Sequence, residues 1–263
     1  MKILLVGGSG HVGTFITPYL REVHELRVFD LAEPRHDGIE FVRGSVTDSG
    51  AIKEAVDGVD TFIWLVMQSP QGGSVTDQDE KVIRENYTVN NLGLHLFLWT
   101  GYNNGLRNGV YTSTMSVHFR YRDWYQAEDE VPLDTPSAYG LSKGFGELIC
   151  RYFARHFDMN LAAMRITGPM TREQWIDYRS AQHEVDPLGA NPVRPLLATD
   201  EEDLANAYMA AAEFVQIGHG SFEPFFIAGD EDQVEHNLTK AERVLGWKPR
   251  THLKVEVPKV HGA

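Results

Sequence analysis

The sequence predicts an α/β fold: a doubly wound parallel sheet with a smaller C-terminal region. Three observations predict it. Apolar runs rich in β-branched residues alternate with helical patterns, a glycine cluster joins the first run directly to the first helix, and the alternation lapses after Ile166. Strands are expected at 3–6, 26–29, 40–42, 61–66, 109–112 and 161–166, with helices over 12–22, 52–56 and 81–104 between them. A further helix starts near Thr135-Pro136-Ser137, where a cap residue and an early proline suit a helix start, and runs to about 157. Residues 1–166 are expected to form one domain. Residues 167–263 form a mainly separate region, with some segments returning to the core. Thr199-Asp200-Glu201-Glu202 reads as a capping box for a helix through Ala205 and Phe214, rather than as a metal site.

Composition narrows the function classes. Hydrophobic residues at 42% and charged residues at 23% are ordinary for a globular chain and argue against disorder or a fibre. A net charge of −13 would repel a phosphate backbone, so no nucleic-acid partner is expected. The single cysteine, Cys150, excludes a disulfide framework and, in its apolar helical context, reads as an inert buried thiol. Met1 to Val6 is too short for a signal segment and reads as a strand, and no apolar run approaches the roughly 18 residues of a membrane span. The expected compartment is the cytoplasm, with no membrane association.

Gly7-Gly8-Ser9-Gly10-His11-Val12-Gly13 follows the first strand and opens the first helix, the context a dinucleotide-binding loop requires. Glycines let the backbone approach a pyrophosphate, whose charge meets free N–H groups and the positive end of the helix dipole. The second strand ends at Asp30, where a carboxylate would accept hydrogen bonds from both adenosine ribose hydroxyls and repel a 2′-phosphate. That favours NAD over NADP. An exposed turn aspartate is the alternative, and nearby Arg35 keeps the choice open.

Tyr139 and Lys143 stand one helical turn apart in Ser137-Ala138-Tyr139-Gly140-Leu141-Ser142-Lys143. Leu141, Phe145, Leu148, Ile149 and Tyr152 share one face and are expected to pack inward, leaving Tyr139 and Lys143 to meet another surface. A phenol titrates near 10, and a neighbouring ammonium would lower it. Tyr139 would then take a proton from a substrate hydroxyl while hydride leaves the same carbon for a nicotinamide ring, and Lys143 would bond the nicotinamide ribose.

With these residues in hand, the chain resembles the extended short-chain dehydrogenases/reductases, the family of NAD-dependent sugar epimerases and dehydratases, over nearly its whole length. Gly7, Gly10 and Gly13 meet the family's glycine pattern, Tyr139 and Lys143 its Tyr-x-x-x-Lys, and Thr114 its catalytic Ser/Thr. Asn90-Asn91-Leu92-Gly93 resembles its Asn-containing helix motif, residues 194–205 its arginine passage before an Asp-Leu-Ala helix, and Leu245-Gly246-Trp247-Lys248-Pro249 its closing motif. The resemblance implies a Rossmann-type sheet with a small C-terminal substrate-binding region. It implies a catalytic set of Thr114, Tyr139, Lys143 and Asn90, Asn90 shaping the site or merely capping a helix bend. It implies a cofactor site of Gly7, Ser9, Gly10, His11, Val12, Gly13, Asp30, Ser45, Val46, Leu65, Tyr139 and Lys143. Ser45 stands where the family has an aspartate against the adenine, and Leu65-Val66-Met67-Gln68 where it has small residues, so bulk narrows the cleft.

The segment between Arg165 and Arg194 is short for this family and leaves little room for a nucleoside diphosphate. A compact substrate is therefore expected: a free sugar, a sugar acid or a small hydroxy acid. Among compact relatives the chain resembles uronate dehydrogenases, although Met115-Ser116 replaces their Asn-His. Arg194 would hold a carboxylate bidentately, or else pair with the acidic cluster after it. Gln68, Ser116 and His118 are candidate substrate contacts, the last two in a loop that could equally be packed at an interface. No histidine pair has metal-ligand spacing, so no metal is expected. Rival readings are an epimerase holding NAD tightly and a non-catalytic NAD-binding module. The helices near 81–104 and 138–156 resemble those that pair two subunits in the family, so a homodimer is expected.

Overall fold

The structure, a computed structural model, describes residues 1–68, 78–118, 122–181 and 198–250. In chain order the elements are β1 (Lys2–Val6), α1 (His11–Leu20), β2 (Glu25–Asp30), β3 (Glu40–Arg43), α2 (Ser49–Val56), β4 (Thr61–Trp64), α3 (Glu80–Asn86), α4 (Leu94–Asn103), β5 (Asn108–Thr114), α5 (Ala138–Phe157) and β6 (Asn160–Ile166). There follow β7 (Pro169–Met170), α6 (Arg172–Ala181), β8 (Thr199–Asp200), α7 (Glu201–Val215), β9 (Phe222–Ile227) and α8 (Thr239–Leu245).

Seven strands form one parallel sheet in the order β3-β2-β1-β4-β5-β6-β9. This is the Rossmann-type α/β arrangement, with the order reversing between β1 and β4 and opening a crevice at the strands' carboxyl ends. The central strands are buried on both faces, which is why they read as continuous apolar runs rather than alternating ones. One face is covered by α1, α7 and α8 through Phe15, Ile16, Leu204, Tyr208 and Ala241. The other is covered by α2, α4 and α5 through Ile52, Leu94, Phe97, Cys150 and Phe153.

Local chemistry accounts for several boundaries. The Asp48 carboxylate caps α2 by accepting from Gly50 and Ala51, Ser137 caps α5 by accepting from Gly140, and Asp200 caps α7 by accepting from Asp203. Pro18 lies inside α1 and cannot donate to the Thr14 carbonyl; His36 Nε2 donates to it instead at 2.6 Å. The helix expected over 81–104 is one continuous run, but its middle, Tyr87–Gly93, winds as a π-helix between α3 and α4. That widened turn carries Asn90 and Asn91.

The face of α5 that packs inward is not the apolar one. Leu141, Phe145, Leu148 and Tyr152 are 43, 39, 53 and 45% exposed, whereas Gly140, Ser142, Lys143, Gly144, Gly146, Glu147 and Cys150 are buried. This corrects the expectation from periodicity. Small residues bring the helix close to the sheet: a Cβ on Gly146 would overlap the Tyr111 hydroxyl. On that face Glu147 bonds Ser113 of β5 and Arg165 of β6, and Ser142 bonds Asn90. Cys150 is fully buried, which pushes its thiol up.

β9, from the C-terminal region, pairs with β6 along its length. Trp247, 4% exposed, donates to the Asp203 carbonyl at 2.9 Å and ties the closing segment to α7. Among the described residues no helix is long and apolar enough to cross a membrane.

Candidate functional site

The glycine loop, Asp30, Leu65 and Thr114 all follow or end parallel strands, so the sheet gathers them at one edge. Gly7 adopts φ +84 and lies against the end of β4, where a Cβ would stand 2.8 Å from the Val66 nitrogen. A Cβ on Gly13 would overlap the Gly8 carbonyl. Gly10 caps α1 without a side-chain bond, leaving that helix start open toward the crevice. Ser9 N donates to Asp30 Oδ2 at 3.0 Å and Ala32 N to Oδ1 at 3.2 Å, while Ser9 Oγ donates to the Ala32 carbonyl at 2.6 Å. Each carboxylate oxygen keeps a further lone pair for a hydroxyl. His11 is exposed, its ring edge-on to Phe15, and Val12 is half-buried. After β3 the Ser45 and Thr47 hydroxyls bond at 2.8 Å, and buried Val46 packs so closely on Gly93 that a Cβ there would meet it at 2.6 Å. Leu65 N continues the ladder to Val6 O at 2.7 Å.

Across the crevice, Thr114 ends β5, with its hydroxyl close enough to Tyr139 to favour the charged form of the phenol. Thr114 Oγ1 also accepts from Ser116 N at 3.1 Å. The start of α5 is pressed onto this turn, since a Cβ on Gly140 would overlap the Ser116 carbonyl and the Thr135 hydroxyl. Half-buried Tyr139 lies 3.5 Å from the sulfur of Met67, which is 54% exposed. Thus the ends of β4 and β5 and the start of α5 converge on one phenol.

The electrostatics differ from the expectation. Burial pushes Tyr139 up to about 12, outweighing the nearby Thr114 hydroxyl, and Lys143 does not lower it. Lys143 is 2% exposed, its Nζ over the Tyr111 ring at 4.5 Å from the centroid, and burial brings it down to about 7. The low-dielectric site thus disfavours both charged forms.

Asn90, 1% exposed, is a brace. Its Oδ1 accepts from Gln68 N at 2.7 Å, and its Nδ2 faces Gln68 O at 2.8 Å, Ser142 Oγ at 2.9 Å and Asn86 Oδ1 at 3.1 Å. It joins the exit of β4 to α5. The Gln68 side chain donates to Glu85 at 3.2 Å. Ser116 is exposed beside the crevice. His118 is not: it is 1% exposed, donates from Nδ1 to the Pro132 carbonyl at 2.8 Å and accepts from Arg165 at Nε2, 3.3 Å away. Burial brings it down to about 4, so it is a packed neutral histidine rather than a crevice residue. Arg194 lies outside the described residues. A cavity of about 490 Å³ beside α6 and α7, lined by Thr171, Arg172, Glu173, Ile176, Asp177 and Glu201, contains none of the expected site residues.

A glycine loop at the point where the strand order reverses is where open α/β sheets take a dinucleotide. The model of the NAD dependent epimerase/dehydratase family matches residues 3–219, and the chain belongs to that family. By its description that family is NAD dependent. The chain is 28% identical to the NAD-dependent glucose-6-phosphate dehydrogenase of Haloferax volcanii, over 94% of this chain and 92% of that protein. It is 25% identical to the uronate dehydrogenase of Pseudomonas syringae pv. tomato, over 66% of this chain and 61% of that protein. A 34% match to the 3 beta-hydroxysteroid dehydrogenase/Delta 5-->4-isomerase of Mycobacterium tuberculosis covers 44% of this chain, which spans only about a third (32%) of that relative's length. A short-chain dehydrogenase/reductase superfamily protein from Agrobacterium tumefaciens, solved with bound NAD, superposes with a TM-score of 0.75 at 20% identity, over 95% of this chain and 93% of that one. MoeE5 in complex with UDP-glucose and NAD gives 0.74 at 18% identity, over 96% and 95%.

Proposed function

We propose that the chain is a dehydrogenase that oxidises a hydroxyl carbon of a small sugar or sugar acid, in the manner of a uronate dehydrogenase, with Tyr139 as general base. The observation that carries this reading is the close approach of the start of α5 to the turn after Thr114, which puts Tyr139 beside the Thr114 hydroxyl at the sheet's carboxyl edge with Lys143 one helical turn on. The glycine loop and the open start of α1 would hold the pyrophosphate, Asp30 the adenosine ribose, Ser45 and Val46 the adenine, and Leu65, Tyr139 and Lys143 the nicotinamide riboside. Bound NAD supplies a hydride acceptor and a positive ring beside the phenol.

The Thr114 hydroxyl would orient the reacting oxygen and bond it as charge develops there. Tyr139 would take the hydroxyl proton as the carbon gives up hydride. Lys143, charged while the ribose is bonded, would draw Tyr139 down from about 12 toward working pH. Asn90 would hold the Gln68 backbone, and with it the Met67 side of the crevice. The bulk of Met67 beside the phenol favours a compact substrate, and the named sugar dehydrogenases among the relatives point the same way.

The exposed Leu141, Phe145, Leu148 and Tyr152, continued by Ile83, Leu92 and Trp99 on the neighbouring helical run, fit a homodimer face. A sedimentation profile with only monomer at micromolar concentration would count against this pairing.

A panel of hexuronates, free aldoses and hexose phosphates with NAD, read by NADH absorbance, tests the activity. Turnover of a free sugar or sugar acid is expected. An isomerised sugar with no net NADH marks an epimerase instead, and inertness toward every sugar removes the reading. Tyr139→Phe should cut turnover about 10²- to 10⁴-fold and leave NAD affinity nearly unchanged.

A further inference from the structure

Behind the Thr114–Tyr139 pair lies a buried polar cluster that the proton transfer itself does not use. Glu147, one helical turn past Lys143 on α5, accepts from Arg165 Nε at 2.9 Å, from Arg165 Nη2 at 2.7 Å and from Ser113 Oγ at 2.5 Å. Arg165 Nη1 donates to the Glu128 carbonyl at 2.7 Å and faces His118 Nε2. Ser113, Glu147 and Arg165 are at most 2% exposed.

The cluster joins the elements that carry the site. Ser113 directly precedes Thr114 on β5, Arg165 lies on β6, and Glu147 shares a helix with Tyr139 and Lys143. Net stability does not explain it. Desolvating both charges offsets most of their attraction, and well-packed hydrocarbon of similar volume is often as stable. Hydrocarbon would lack two things: a bidentate fork that sets both separation and plane, and a negative charge one turn from a buried amine.

We propose that Glu147 is a positioning residue of the proton-transfer site: clamped by Arg165 and Ser113, it sets α5 on β5 and β6 so that Tyr139 meets Thr114, and it supplies the negative charge facing Lys143. The inference rests on the reading of Tyr139 and Lys143 as the acid–base pair. Around Lys143 stand Tyr139, Glu147 and Cys150 on α5 and Tyr111 from β5, with Arg165 from β6 behind Glu147. The π-helical stretch contributes the neutral Asn90 and Asn91 through Ser142. Cys150 is held as a neutral thiol by burial, so Glu147 is the anion that counters the desolvation of Lys143.

The double variant Glu147→Met/Arg165→Met removes both charges together and avoids stranding one of them. Its Lys143 titration is followed by NMR on full-length protein labelled with ¹³C at the lysine ε-carbon, the signal being identified by its loss in Lys143→Arg. The midpoint should fall by a pH unit or more relative to wild type, and turnover at neutral pH by at least tenfold, with NAD affinity within threefold. A folded double variant with an unchanged midpoint overturns the proposal, as does unchanged turnover. If the double variant fails to fold, Ser113→Ala decides: it must shift the midpoint in the same direction, and no shift overturns the proposal. The NMR midpoint needs no substrate, so a failed substrate screen leaves this test standing.

Discussion

Gly140 lies so close to the Ser116 carbonyl that a β-carbon on it would overlap that oxygen. The residue beside the candidate base thus sets how near the helix approaches the turn after Thr114. Gly140→Ala should lift the start of α5, costing about 1–3 kcal/mol of stability as overpacking does. Turnover should drop on the order of 100-fold, as for a displacement of roughly 1 Å at a reacting pair. Thermal melts and steady-state rates check both.

Lys143 gives the cofactor-free protein a specific pH dependence. Its folded-state value is lowered to about 7, below the ordinary lysine range, so the unfolded chain binds more protons between the two values. Stability should therefore rise as pH increases from about 7 toward 10. Lys143→Met should flatten that rise and be more stable than wild type at pH 7. Denaturant unfolding across this range is the measurement, and parallel curves for the two proteins would contradict it.

His118 titrates in the opposite half of the scale. Burial lowers it to about 4, so stability is present above its ordinary value near 6.5 and is lost as pH falls toward 4. The loss is on the order of 3 kcal/mol for this one group. His118→Gln should shrink the acid loss measured by unfolding, without changing the substrate KM.

Asp30 already accepts from the glycine loop through Ser9 N. Asp30→Ala should raise the Kd for NAD about 10- to 100-fold, as lost hydrogen bonds to a charged group do, and weaken NADP much less. Fluorescence titration with both dinucleotides reads the difference.

The strand–helix order through β6 is legible in the sequence because fully buried strands are continuous apolar runs bounded by polar turns. The glycine loop is legible because its close backbone approaches demand residue types that stand out. β9 is not read from Phe222–Ile227, because its pairing with β6 is a long-range choice made by the sheet. The orientation of α5 is misjudged for a definite reason. Hydrophobic periodicity assumes that apolar faces turn inward, yet here the inward face carries Lys143 and Glu147, compensated by partners on distant strands. The same pattern was the available signal for the Glu147–Arg165 clamp: a lysine and a glutamate one turn apart among Gly140, Ser142, Gly144 and Gly146. The burial of His118 is not legible in its loop because it depends on the ring of Phe226, more than a hundred residues along the chain.

The late arrival of β9 has a consequence during synthesis. Until Phe222–Ile227 leaves the ribosome, β6 presents a bare row of backbone donors and acceptors along the six positions Leu161–Ile166, a template for unwanted pairing with another nascent chain. A premature stop before Phe222 should therefore yield inclusion bodies rather than a smaller working enzyme.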